Sequence, residues 1–266
     1  MTNSDETHIN KKPMSKIRRQ IGKHMQKSKL ISPHVLTAME VDYENVEKVR
    51  KTHGANWKKS EKFSLTYLPF IMQATTEALK QFPHLNATID ETDLLINNEI
   101  NIAVAVDLDF EGLIAPVIRR VDELSIQEVA RQVHDVSIRA KNKKLHQNEL
   151  SGGTFTITNA GPFGTMFQAP IINQPQVAIL STDGITRKPT VIEDNNGIES
   201  IVIRPIGILS LAWDHRAFDG AYAASFLKFI KDFLEKTNWE KGLLSIGPND
   251  YDRDDQYDRS HEATLL

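Results

Sequence analysis

The spacing of apolar residues changes several times along the chain, and each change marks an element. After a polar opening, Ile17, Ile21 and Met25 recur four apart while Arg18, Arg19, Lys23 and Lys27 take other faces. This spacing predicts a helix capped by Ser15, running to about Ser28 and closed before Pro33. Residues 34–41 alternate and read as a strand. Helices are expected over residues 43–52 and, more strongly, 66–81, the second stopped by Pro83. Residues 54–64 read as a charged loop between them. Residues 100–106 and 113–118 predict two strands joined across 107–112. Ser125 is placed to cap a helix to about Ala140, with Ile126, Val129, Ala130 and Val133 on its buried side.

The second half has more strand character. Residues 154–159 are β-rich and run into a glycine-proline bend at 160–164; residues 177–180 make a short apolar strand. Asn195-Asn196-Gly197 lies between two β segments, 189–193 and 200 onward. Asn-Gly tolerates the positive φ angles of a tight hairpin, so antiparallel pairing is expected there. Residues 201–213 read as one long buried strand bent near Pro205. The last helix is expected over 221–236, with Ala224, Leu227, Phe229, Ile230 and Phe233 apolar. No repeat is visible. The expected fold class is α/β with a mixed sheet, one compact domain over 14–247. It is flanked by a disordered lead-in, 1–13, and an acidic tail, 248–266.

Composition narrows the functional classes. The 266 residues are 40% hydrophobic, ample for a large core, and the net charge of −3 gives no global attraction for nucleic acid. A basic block, 11–29, and an acidic one, 250–258, read as solvated faces or tails. The absence of cysteine rules out disulfides, thiolate metal sites and a cysteine nucleophile. No apolar run reaches the roughly 20 residues of a membrane helix, and the start lacks the apolar stretch of a signal peptide. A soluble protein of the bacterial cytoplasm is expected, rather than one of the mitochondrial matrix. Neither metal-ligand spacing nor a phosphate-cradling glycine loop is present.

Two segments are candidates for chemistry. Asp214-His215-Arg216-Ala217-Phe218-Asp219-Gly220 falls where the long strand meets the last helix. An imidazole titrating near neutrality there can take and return a proton. Equally, His215 can be an ordinary turn residue and Asp219 a helix cap. Gly152-Gly153-Thr154-Phe155-Thr156-Ile157-Thr158-Asn159 places three threonine hydroxyls on one strand face. These serve either β propensity or, at Thr158 beside the bend, a hydrogen bond to a reacting carbonyl.

Taken together, the segments resemble the catalytic domain of the dihydrolipoamide acyltransferases. These are the core subunits of 2-oxoacid dehydrogenase complexes, related in fold to chloramphenicol acetyltransferase. Further blocks resemble the family in order: Met14-Ser15-Lys16-Ile17-Arg18-Arg19, Pro33-His34-Val35, residues 112–119 and residues 170–180. The resemblance covers about 14–240. It implies a trimer with a mixed sheet flanked by helices, and transfer of an acyl group between dihydrolipoamide and coenzyme A. His215 would be the general base toward the thiol, and Thr158 of a neighbouring subunit the oxyanion donor. Asp219 would fix the local backbone by pairing with Arg18, or else Arg19. No metal is implied. Phe163, Met166 and Phe218 are candidates for lining the acyl pocket. The implied partners are a lipoyl domain and the 2-oxoacid dehydrogenase and dihydrolipoamide dehydrogenase components. No lipoyl-lysine motif precedes Met14, so the lipoyl group is expected on another domain or chain. The acidic stretch before Leu265-Leu266 departs from the family and leaves a trimer, not a larger shell, as the expected assembly. Two other classes remain: a scaffold that kept the fold without the chemistry, and an O- or N-acyltransferase for small molecules. The small-molecule branch typically carries His-His where this chain has Asp214-His215.

Overall fold

A computed structural model describes residues 10–244 of the chain. Residues 1–9 and 245–266, which hold most of the expected lead-in and all of the expected acidic tail, lie outside the described residues. The elements follow in the order α1 (Lys16–Ile31), β1 (His34–Asp42), α2 (Glu44–Glu61), α3 (Leu68–Gln81), β2 (Ala87–Asp90) and β3 (Asp93–Ile96). Next come β4 (Ile102–Val104), β5 (Val106–Asp107), β6 (Leu113–Ile114), β7 (Val117–Ile118) and α4 (Ile126–Lys141). The chain continues through β8 (Phe155–Asn159), β9 (Ala178–Thr182), β10 (Thr186–Glu193), β11 (Glu199–Asp214), α5 (Gly220–Lys236) and α6 (Trp239–Leu244).

One sheet organises them, in the order β1-β11-β9-β8-β4-β7, with β10 paired to the first half of β11. Strands β4, β8 and β9 run parallel; β11 is antiparallel to both β1 and β9, so the sheet is mixed as expected. Period-two alternation divides its faces. Leu209, Leu211 and Trp213 on β11, Leu180 on β9 and Phe155 and Ile157 on β8 enter the main core with Phe226, Leu227 and Ile230 of α5. On the opposite face Ile179 and Ala212 make a small second cluster with Ile172. Helix α3 is the central helix, buried at every position from Leu68 to Leu79. Its threonines fit because Thr75 and Thr76 donate to the carbonyls of Ile71 and Met72 one turn back.

Several sequence expectations change. Helix α2 continues through Gly54 to Glu61 where a loop was expected after residue 52. The reason is tertiary: Val46, Val49 and Trp57 form a buried stripe, and Trp57 meets Phe63 edge-on at 5.6 Å. Burial of an indole outweighs the roughly 1 kcal/mol penalty of a helical glycine. The long strand β11 is buried only from Pro205 onward. Its first half, with β10, forms a hairpin whose face carries exposed Val191, Ile201 (78% exposed) and Ile203. Gly197 takes φ +78° at the hairpin tip, in agreement with the Asn-Gly signal. The β2–β3 hairpin and α6 were not anticipated. Asn86 ties the ends of the former by donating to the carbonyls of Asn97 and Glu99.

Helix α4 begins with a full capping box. The Glu128 N–H donates to Ser125 Oγ (3.3 Å), and Glu128 Oε2 accepts from the Ser125 N–H (2.8 Å). Ser125→Ala is expected to cost about 1 kcal/mol, a fall of roughly 2–4 °C in Tm by calorimetry for a chain of this size. An unchanged Tm would show that the box is not holding the helix. Trp57→Ala is expected to cost about 3–5 kcal/mol; a loss below about 1 kcal/mol in denaturant titration would contradict the packing account of α2.

Candidate active site

The end of β11 is held from both sides. The Asp214 N–H donates to the Val177 carbonyl (2.8 Å) and the His215 N–H to the Pro33 carbonyl (3.1 Å). Beneath it the Trp213 indole N–H donates to Thr37 Oγ1, and Phe218 stacks on the same indole at 5.2 Å. Phe218 is therefore packed into the core of the single chain. Asp214 is buried and receives a two-pronged contact from Arg216, Nε to Oδ1 at 3.0 Å and Nη2 to Oδ2 at 2.6 Å, and also the Arg216 N–H. Burial works against the Asp214 charge. The Arg216 guanidinium, the Ser32 hydroxyl and the Arg216 N–H outweigh it and hold this carboxyl below its ordinary range. The turn that carries His215 is thus fixed by an ion pair, a strand end and an aromatic stack.

From this support the His215 side chain emerges 50% exposed, its ring 4.9 Å from the Trp213 ring. Its Nδ1 lies 3.8 Å from Asp219 Oδ1, beyond hydrogen-bond reach but within range of a charge pair once the ring is protonated. Asp219 occupies the N-cap position of α5, yet its carboxylate makes no capping bond and is 89% exposed. The cap reading accounts for the position of Asp219 and not for where its charge points. Arg18, the expected partner of Asp219, is exposed and uses its backbone N–H on Ser15 Oγ; among the described residues it makes no contact with Asp219 within one chain. Arg19 is engaged by the Met14 carbonyl.

A cavity of about 430 Å³ opens beside this turn, with His24, Lys27, Gln174, Gln176, Asp214 and Arg216 in its wall. The sequence did not point to this cavity, because its wall combines α1, the segment before β9 and the β11 end. A second histidine stands nearby but is committed. His34 Nδ1 faces the Ser32 carbonyl at 2.8 Å and its Nε2 receives the Ile172 N–H at 3.0 Å, which leaves neither nitrogen for a substrate.

The threonine row separates cleanly. Thr154 Oγ1 is bonded to the backbone of Asn101, and Thr156 Oγ1 to Gln176 Oε1 (2.6 Å) and Asn173 Nδ2. Both are buried. Thr158, half-buried at the end of β8, has no hydroxyl partner among the described residues. Two of the three hydroxyls stabilise the fold, and the third is free to donate.

Register places the two candidate groups apart. Thr158 is level with Ser181 on β9, and Ser181 with Ser210 on β11. His215 lies five positions beyond Ser210, about 17 Å farther along the strand at roughly 3.3 Å per residue. Within one chain the imidazole and the free hydroxyl sit toward opposite ends of the sheet.

Comparison with known proteins places the chain in a family. Residues 6–243 match the family described as 2-oxoacid dehydrogenases acyltransferase (catalytic domain). The chain is 38% identical over 223 residues to the dihydrolipoyllysine-residue succinyltransferase component of the 2-oxoglutarate dehydrogenase complex of Haemophilus influenzae, covering 84% of this chain and 53% of that protein. It is 41% identical over 215 residues to the dihydrolipoyllysine-residue acetyltransferase component of the pyruvate dehydrogenase complex of Corynebacterium glutamicum, covering 80% and 32%. It therefore spans about half the length of the first relative and a third of the second. Among solved structures, a probable dihydrolipoamide acetyltransferase from Listeria monocytogenes superposes with a TM-score of 0.81 at 38% identity, covering 86% of this chain and 95% of that one. Chloramphenicol acetyltransferase matches at a TM-score of 0.51 and 12% identity, over 84% and 100%, a likeness of fold alone. Among the described residues no helix is long and apolar enough to cross a membrane. By profile, by identity and by fold, this chain belongs to the family of 2-oxoacid dehydrogenase acyltransferase catalytic domains.

Proposed function

We propose that the protein transfers an acyl group between the dihydrolipoyl thiol of a lipoyl domain and coenzyme A. In this reading it works as a homotrimer, with each active site formed where His215 of one subunit meets Thr158 of the next. The observation that carries it is the separation along the sheet of a half-exposed imidazole and an unpartnered hydroxyl, two groups the chemistry needs around one carbon. A second copy supplies the missing half. The exposed apolar face of the β10–β11 hairpin, with Val191, Ile201 and Ile203, and the exposed Phe110, Phe163 and Met166 are surfaces a trimer would cover.

The proton and electron path is short. His215 accepts the thiol proton; the thiolate adds to the thioester carbonyl; the Thr158 O–H donates to the oxygen as it gains negative charge. Collapse expels the other thiolate, which recovers the proton from His215. Thiol pKa values near 8.5 make an imidazole a sufficient base. In this reading Asp219 fixes the local backbone by pairing with Arg18, or else Arg19, a pairing that is absent from the single chain. The partners would be a lipoyl domain and the 2-oxoacid dehydrogenase and dihydrolipoamide dehydrogenase components, in a bacterial cytoplasm. Relatives named for succinyl and for acetyl transfer are almost equally similar, so identity does not select the acyl group.

With acyl-coenzyme A and dihydrolipoamide as substrates, His215→Ala is expected to lower kcat by about 100- to 10,000-fold. Thr158→Ala is expected to lower it by roughly 100- to 1,000-fold, with Thr158→Ser close to the parent protein. Both variants should keep the parent mass in light scattering. A trimeric variant with parent kcat would remove that residue from the mechanism.

A further inference from the structure

The bend that follows Thr158 is locked by a buried acid that neither the base nor the oxyanion role explains. Asp183, one residue beyond β9, is 2% exposed. Its Oδ1 accepts from Thr165 Oγ1 at 2.6 Å and its Oδ2 from Ser181 Oγ at 3.1 Å. Among the described residues no lysine, arginine or histidine stands within ion-pair distance of it. A carboxylate buried with only hydroxyl donors is costly, and a purely structural contact of this kind is easily made with less polar groups.

Its two partners lie on the two sides of the Thr158 bend. Ser181 is the ladder neighbour of Thr158. Thr165 closes the turn formed by Gly161–Phe163 and Gly164, the last at φ +72°. The backbone follows the same seam: the Ala160 N–H donates to the Thr182 carbonyl and the Gly184 N–H to the Thr165 carbonyl. Gly161 sits so close that a Cβ there would be 2.8 Å from the Asp183 carbonyl oxygen, so the approach requires glycine. The turn held in this way presents the exposed Phe163, Met166 and Phe167 directly after Thr158.

We infer that Asp183, acting through Thr165 and Ser181, is a positioning residue that fixes both the direction of the Thr158 hydroxyl and the place of the apolar Phe163–Phe167 edge against the acyl chain. The inference rests on Thr158 as the oxyanion donor for the first half of its effect; the second half, acyl selection, stands on the turn alone. A carboxylate suits the task because it offers an acceptor oxygen to each of two hydroxyls at once. An amide at the same place has one acceptor, so one of the two hydroxyls must turn round.

The experiment compares Thr165→Val, Thr165→Ser and Asp183→Asn in the assembled enzyme, with acetyl-, propionyl- and succinyl-coenzyme A as donors to dihydrolipoamide. Thr165→Val is expected to lower kcat about tenfold, the scale of a sub-ångström misplacement. It should leave KM for dihydrolipoamide unchanged and alter the ratio of kcat/KM among the three donors. Thr165→Ser restores both readouts, and Asp183→Asn falls between. A Thr165→Val enzyme that melts earlier but keeps the parent kcat and donor ratios would overturn the inference, because the clamp would then be structural only. Thr158→Ala, run beside them, keeps the two ideas distinct. If it is fully active the oxyanion reading falls, while a shifted donor ratio in Thr165→Val still upholds the clamp.

Discussion

Strand β11 pairs with β1 on one side and β9 on the other, and this double ladder sets where every reactive group of the chain ends up. A strand side chain cannot drift: a slip of one residue would turn Leu209, Leu211 and Trp213 out of the core. The register that buries them is the register that carries Asp214 to the edge and puts His215 just past it. The same ladder, continued through β9 to β8, leaves Thr158 toward the other end. Hydrophobic packing therefore sets the two candidate groups apart along the sheet, and in the proposed mechanism that separation ties catalysis to assembly.

Around this frame polar groups are sorted by whether they have partners. Asp214, Arg216 and Ser32 satisfy one another beneath the histidine, and Thr154 and Thr156 are occupied by Asn101, Gln176 and Asn173. His34 has both nitrogens bonded. The outer edge of the His215 ring and the Thr158 hydroxyl are left open, and these are the two groups the proposed acyl transfer would use. In the proposed mechanism His215 is the proton acceptor and Thr158 the oriented donor, each carried by a rigid element, so little reorganisation would accompany the reaction.

Much of this was legible in the sequence, for reasons that differ by element. The α1 and α4 helices announce themselves by serine caps and a clean apolar stripe, and the β10–β11 hairpin by Asn-Gly. Helix α2 was cut short because Gly54 reads locally as a breaker, whereas Trp57 finds its burial only in the tertiary structure. The apolar first half of β11 was read as buried, because composition cannot say that Ile201 and Ile203 face outward from a projecting hairpin. The β2–β3 hairpin depends on side-chain bonds from Asn86, which leave no periodic trace. In the site, His215 was visible from its place at a strand-helix junction. Thr158 was singled out by its place beside the bend and by the family resemblance, and the structure adds that the other two hydroxyls of the row are occupied. Asp183 sits in Ser-Thr-Asp-Gly, a string that reads only as a turn, and its contacts join segments 18 residues apart.

The divided site makes one measurement decisive. His215→Ala and Thr158→Ala chains, each expected to be strongly impaired alone, are unfolded and refolded or co-expressed together so that mixed trimers form. Where an intact His215 of one chain meets an intact Thr158 of its neighbour, a complete site is rebuilt. Random assembly of equal amounts should restore about a quarter of the parent acyl-transfer activity. A mixture no more active than its two parents, in trimers shown to contain both chains, would contradict the shared site.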